Sequence, residues 1–170
     1  MLFQFSGQTQ KTDVFEKMES YLTSFVRIRN VDQTRPWGGF FVIEEADAEK
    51  FIQKYFPQFS KEELSISGKL SPKILVLAPG KRLSWQYHHR RAEIWKMVYG
   101  EAKIITSDSD IPSSKKRFSN NNIIELKQGE RHRLEGLDNW AIIAEIWRHT
   151  DASNPSDEED IIRIEDDFGR

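Results

Sequence analysis

The sequence predicts an all-β domain, a sandwich or barrel of short antiparallel strands, with a few helices on its periphery. Three observations carry that expectation. From Ile74 to Ile146 the apolar runs are short and alternate with polar positions. Gly, Pro and Asn separate those runs at close intervals. Helical periodicity is confined to the stretch before Leu64.

Residues 1–12 are polar and read as loosely held. From Asp13 the apolar positions Val14, Met18, Leu22 and Phe25 recur at helical spacing, and Asp13 with Glu16 makes a capping pair, so a helix is expected over Asp13 to Ser24. Such a stripe is expected to pack on the outside of the barrel rather than to hold a partner. Val26-Arg27-Ile28 alternates and begins a strand. Trp37-Gly38-Gly39-Phe40-Phe41-Val42-Ile43 is a glycine-marked strand. Asp47 to Phe56 returns to helical period and stops at Pro57, and Ser60-Lys61-Glu62-Glu63 carries a second capping pattern. This partly helical insertion, at about 46–66, either covers the barrel mouth or clads its side. Strands are expected at Ile74–Leu77, Ser84–His88, Glu93–Tyr99, Ala102–Thr106, Ile123–Leu126, His132–Glu135 and Ala141–Trp147. Ala78-Pro79-Gly80 is a turn, and Ser107 to Asn122, with Lys115-Lys116-Arg117, reads as a solvated loop. Asp151 to Glu159 is an acidic linker, and Ile161-Ile162-Arg163-Ile164 returns to the domain as a last strand. The expected organisation is a 1–34 extension followed by one domain over 35–170.

A chain of 170 residues suits one domain with a real core. At 38% apolar and 31% charged it is globular, and a net charge of −2 provides no general field for nucleic acid or an anionic membrane. No apolar run reaches membrane-spanning length and the start lacks a basic leader, so a cytoplasmic setting is expected. With no cysteine, a metal must take nitrogen and oxygen ligands.

The chemistry concentrates between Gly80 and Gly100. Gln86 and His88 are two apart and share a strand face. Glu93 follows a short polar interval, and His132 follows the turn at Gln128-Gly129-Glu130. Two imidazoles, a carboxylate and an amide oxygen suit a divalent ion, zinc, manganese, iron, cobalt or nickel, though the same groups could merely pair as a polar patch. Because Gln86 is neutral, Glu93 alone offsets the ion, which favours an anionic or oxygen-rich ligand. Trp85 and Tyr87 alternate with the ligands and face outward, where the first helix or a second subunit of a homodimer would cover them.

A Gly, a His-x-His pair, a Glu, a Gly and a later His resemble the signature of the cupin superfamily, with Gln86 in the place of the first His. The longer run P-G-K-R-L-S-x-Q-x-H-H-x-R-A-E-x-W resembles the cupin half of type II mannose-6-phosphate isomerases, which include fusions with mannose-1-phosphate guanylyltransferase. Arg35-Pro36-Trp37-Gly38 and Asp160 to Arg170 resemble the segments that open and close that cupin. The resemblance implies that the strands close as a cupin jelly-roll barrel, and that the barrel holds one divalent metal, zinc foremost, on Gln86, His88, Glu93 and His132. It also implies interconversion of an aldose phosphate and a ketose phosphate, with no nucleotidyltransferase half in this chain. The alternative is a cupin that binds a sugar or sugar phosphate without turning it over. His89, Lys103 and Glu135 are candidates for the catalytic base, and Arg82, Arg90, Arg133 and Arg170 for the phosphate clamp. This chain departs from the family pattern Q-x-H-H-H-R-A-E-H-W at Arg90 and Ile94. Arg90 would share the ligand face if the strand extends that far.

Overall fold

The computed structural model describes residues 3–169. Two antiparallel sheets face each other. One contains, in spatial order, β1 (Ile28–Asp32), β2 (Gly38–Ile43), β3 (Lys73–Leu77), β10 (Ala141–His149), β5 (Arg91–Tyr99) and β8 (Ile123–Leu126). The other contains β11 (Ile162–Glu165), β4 (Trp85–Tyr87), β9 (Arg131–Gly136), β6 (Glu101–Ser107) and β7 (Ser114–Ser119). This is the expected jelly roll, and from β3 onward consecutive strands alternate between the sheets except for the β6–β7 hairpin.

Strand alternation divides the buried residues into two cores. Leu75, Leu77, Trp95, Met97 and Ile143 point between the sheets and meet Ala102, Ile104 and Leu134 from the opposite side. Their neighbours Ile74, Val76, Ile94, Ile142 and Ile146 point outward and would face water if nothing covered them. The helices cover them. α1 (Lys11–Thr23) contributes Val14, Phe15, Met18 and Leu22, and α2 (Ala48–Tyr55) contributes Phe51, Ile52 and Tyr55. α3 (Lys61–Leu64) adds Leu64 behind a complete capping box of Ser60 and Glu63. The 46–66 insertion therefore clads the back of the larger sheet rather than the barrel mouth. No helix among the described residues is long and apolar enough to cross a membrane.

Three local expectations are corrected. Residues 3–10 are tied down, because Phe3 and Phe5 enter the outer core and the Tyr99 hydroxyl bonds both the amide and the carbonyl of Phe5. α1 begins earlier, capped at Gln10 without a side-chain bond, so Asp13 lies in its first turn rather than at its cap. The Ser107–Asn122 stretch contains β7, an edge strand on which Lys115, Lys116 and Arg117 are exposed and Phe118 alone reaches the core. Lysine-rich edges blunt further strand pairing, and for that reason this strand reads as loop.

Two turns fix the strands that carry the site. Gly100 closes the β5–β6 hairpin at φ +76°, and a side chain there would meet the Trp140 carbonyl at 2.3 Å. Gly129, at φ +77°, donates its amide to the His88 carbonyl at 3.0 Å, tying the turn before β9 to the end of β4.

Candidate metal centre and cavity

β4 ends as Gln86 enters the space between the sheets, and Gln86 stands directly opposite His132 of β9. His88 follows two residues later on the same face, while β5 presents Glu93 from the opposing sheet. His88, Glu93 and His132 are each 2% exposed, and ligand atoms from all three lie within 4.8 Å of one another. Glu93 sits between the imidazoles, with His88 Nε2 at 3.2 Å from one carboxylate oxygen and His132 Nε2 at 3.4 Å from the other.

The outer nitrogens decide which atoms are free. His88 Nδ1 is 2.6 Å from the Asp160 carbonyl and His132 Nδ1 is 2.9 Å from the Glu130 carbonyl. A carbonyl only accepts, so each Nδ1 carries the proton and each Nε2 presents a bare lone pair to the centre. His132 Nε2 and Glu93 Oε2 have no hydrogen-bond partner although both are buried. Two acceptors left facing each other in a dry interior are costly unless a cation joins them, so the residues fit a divalent ion. Gln86 Nε2 is 3.5 Å from His88 Nε2, and Gln86 Oε1 accepts from the Ser84 hydroxyl. Because a hydroxyl can also accept, rotating the amide by half a turn offers Oε1 to the ion while Ser84 remains bonded.

The charges agree with that fit. Burial lowers the pKa of His88 to about 3, overriding the pull of Glu93, and lowers that of His132 too. For Glu93 burial pushes upward, but His88, Arg91 and His132 hold the carboxyl at about 2. Neutral imidazoles beside an ionised carboxylate are the protonation states that a metal needs.

A cavity of about 140 Å³ opens beside Gln86 and Glu93. Arg91, two residues before Glu93 and on the same face, donates to Glu93 at 2.7 Å and to His88 Nε2 at 3.1 Å. On β10, Glu145 faces the cavity and accepts from the Trp95 indole at 2.9 Å; burial raises its pKa to about 7, with the Glu93 charge adding to the effect. Lys73 of β3 lies opposite Glu145, and Arg35 and Arg163 complete the cationic part of the lining. Sequence reading assigned no role to Arg91, Lys73, Glu145 or Arg163. A signal was present for two of them. Lys73 begins K-I-L-V-L and Glu145 interrupts A-I-I-A-E-I-W, and a charge inside a strand buried on both faces must find a purpose. Asp160 was likewise missed, although its backbone holds His88 and its carboxylate accepts from the amides of His89 and Arg90.

The other expected site residues lie elsewhere. His89 turns outward against Tyr87, and Lys103 is exposed on the outer face of β6. Glu135, its neighbour across β9, pairs with Lys115 at 2.7 Å. Arg82 is engaged by Glu165 and Asp167, and Arg133 points outward to the Glu165 carbonyl. β4 stops at Tyr87, so Arg90 leaves the ligand face and binds Asn154 and Asp157 outside the cavity. Arg170 lies outside the described residues. Ile94 faces the outer core. Trp85 is already buried within the chain, away from α1, where its indole donates to the Asp110 carbonyl at 2.7 Å beneath the β6–β7 loop.

Comparison with known proteins gives concordant results. The family model described as "Mannose-6-phosphate isomerase C-terminal" matches residues 44–166. The chain is 32% identical over 116 residues to "Mannose-1-phosphate guanylyltransferase" of Escherichia coli, covering 68% of this chain and 23% of that protein. It is 28% identical over 126 residues to "Alginate biosynthesis protein AlgA" of Pseudomonas aeruginosa, covering 74% of this chain and 24% of that protein. The chain thus spans about a quarter of the length of these relatives. Among solved structures, a point variant of Bacillus subtilis oxalate decarboxylase superposes with TM-score 0.55 at 16% identity, over 83% of this chain and 31% of that one. A recombinant oxalate oxidase in complex with glycolate gives 0.53 at 15%, over 78% and 58%. Those two likenesses are likenesses of fold.

Proposed function

The chain belongs to the mannose-6-phosphate isomerase C-terminal family, and from that premise we propose that it is a metal-dependent sugar-phosphate isomerase that interconverts aldose and ketose phosphates. The observation that carries the reading is the convergence of two unprotonated imidazole nitrogens, that of His132 without a hydrogen-bond partner, and an unpartnered carboxylate oxygen of Glu93 beside a cationic cavity. Gln86, His88, Glu93 and His132 are the ligands in this reading; their nitrogen and oxygen donors are compatible with zinc, manganese, iron, cobalt or nickel, and it is the family resemblance that puts zinc first. When bound, such an ion supplies Lewis-acid polarisation of the sugar carbonyl.

The remaining work belongs to the chain's own groups. Glu145 is the base: held by the Trp95 indole and balanced near neutral pH, it takes the proton from the carbon next to the carbonyl and returns it to the former carbonyl carbon, while the proton of the neighbouring hydroxyl passes to the former carbonyl oxygen. Arg91 keeps Glu93 ionised and adds a permanent positive charge at the cavity floor. Four cations, Arg35, Lys73, Arg91 and Arg163, face Glu93, Glu145 and Glu158 in the lining, an excess that suits an anionic sugar.

The second reading, a cupin that binds but does not convert, is motivated by Arg90 and Ile94 at positions where the family usually carries His. Both side chains point away from the cavity, which supports retained chemistry. The deciding experiment is turnover of mannose 6-phosphate and of other aldose phosphates by protein reloaded with each metal in turn. Ketose phosphate should form. Stoichiometric metal and saturable sugar-phosphate binding without product would establish the second reading instead.

A further inference from the structure

The cavity lies beside a wider vestibule, and the two share a wall made of Arg35, Phe40, Lys73, Trp147 and Glu158. At this junction one ion pair is asymmetric. The Lys73 side chain is 5% exposed, its ammonium 3.5 Å from the Trp147 ring centroid and 5.2 Å from that of Phe40. Its hydrogen-bond partner is the Glu158 carboxylate, whose side chain is 57% exposed. Glu158 belongs to the polar segment between β10 and β11, held to the barrel by other residues: Ser156 bonds Arg91, and Asp157 bonds Arg90. The loop stays anchored without the Glu158 contact.

We propose that Lys73 is the residue that receives the anionic group of the substrate, and that Glu158 is a built-in competitor occupying that position until the substrate displaces it. The cost of burying the ammonium is already met in the folded chain, so an incoming phosphate exchanges for a carboxylate without desolvating Lys73 anew. The aromatic rings hold the ammonium in place during the exchange. The displaced Glu158, being exposed, returns to water at little cost. Phosphate at the vestibule then directs the sugar inward toward Glu145 and the His88, Glu93 and His132 cluster. Of the other neighbouring carboxylates, Asp32 is bound to Arg35 and Glu45 accepts from the amides of Leu70 and Ser71, while Glu145, opposite Lys73 across the strand pair, accepts its hydrogen bond from the Trp95 indole.

This inference rests on the sugar-phosphate reading and specifies which residue reads the phosphate. A site occupied by its own carboxylate most of the time lowers apparent affinity by the unoccupied fraction. Glu158→Gln should therefore tighten binding of mannose 6-phosphate and of inorganic phosphate by roughly 3–10-fold, read as a change in tryptophan fluorescence of the full chain. Binding of mannose, which lacks the phosphate, should not change. Lys73→Met should weaken both phosphorylated ligands, and the Glu158→Gln gain should vanish in the double variant. Unchanged or weaker phosphate binding in Glu158→Gln overturns the inference, and that variant changes only an exposed side chain. Should Lys73→Met fail to fold, Lys73→Arg replaces it, and a Glu158→Gln gain of equal size for mannose and for mannose 6-phosphate overturns the inference independently. Turnover is measured separately. Product formation with no Glu158→Gln effect sinks the inference alone, whereas the Glu158→Gln effect without product sinks the isomerase reading alone.

Discussion

At the scale of residues, the tautomers of His88 and His132 determine most of what the centre can do. Each is held by a carbonyl on its outer nitrogen, and each bare inner nitrogen is depressed in pKa by burial. Both folded values lie below those of the unfolded chain, so the folded state binds fewer protons; the stability they contribute is complete above pH ~6.5 and is lost as the pH falls toward 3. Glu145 has the opposite sign. Its folded pKa, about 7, lies above the ordinary carboxylate value, so stability declines as pH rises from ~4.5 through 7. Metal-free protein should therefore show a domed profile of melting temperature against pH. His132→Gln should flatten its acid limb and Glu145→Gln its neutral limb, and a profile unchanged by both would contradict the assignments. In the metal-loaded enzyme, His132→Ala should abolish stoichiometric metal. Glu145→Gln should keep the metal and lower kcat by ~10²–10⁴-fold, measured by elemental analysis and turnover on the same preparations.

At the scale of elements, the strands of the larger sheet other than β1 serve two cores, and that is why alternation in the sequence was so informative. Ile74 and Ile146 read as strand residues on any pattern, and the helical stripes of α1 and α2 were visible because the outward faces of those strands need a cover. The clustering of His88, Glu93 and His132 was legible from the spacing of residues at the end of β4 and within β5 and β9. What was not legible depended on pairing between distant segments. The register of β10 on β3 and β5 brings Glu145 beside Lys73 and Trp95, and no local pattern announces a register. Arg82, Arg133 and Glu135 were drawn toward the site by sequence proximity, whereas one step of alternation puts them on the opposite face. The division of faces makes a further prediction. Phe51 of α2 is fully buried in the outer core, remote from the ligand face, so Phe51→Ala should cost ~3–5 kcal/mol in denaturant unfolding while folded protein keeps its full metal content.

At the scale of the molecule, the barrel has a filled end and an open end. The inner core of Leu77, Met97, Ala141 and Leu134 fills one end, and the charged lining of Glu93, Glu145 and Lys73 occupies the other. Association between chains is a separate question, because Trp85, the residue that first suggested a second subunit, is covered within the chain. A homodimer would instead draw on the exposed Ile162 and Ile164 of β11. Light scattering at micromolar concentration should give twice the 20.0 kDa chain mass for the parent and a single chain mass for Ile164→Ser; a monomeric parent would remove the dimer.

The contact between His88 and Asp160 also has a consequence in time. His88, Glu93 and His132 are synthesised well before the carbonyl that fixes the His88 ring and before β11, which pairs along Gln86. During translation the early strands can collapse and pair, but the imidazole that must present its inner nitrogen stays free to rotate until Asp160 has emerged from the ribosome. On the proposed metal reading, uptake is therefore expected late in the life of each new chain, and a nascent chain stalled before Asp160 should leave the metal pool untouched.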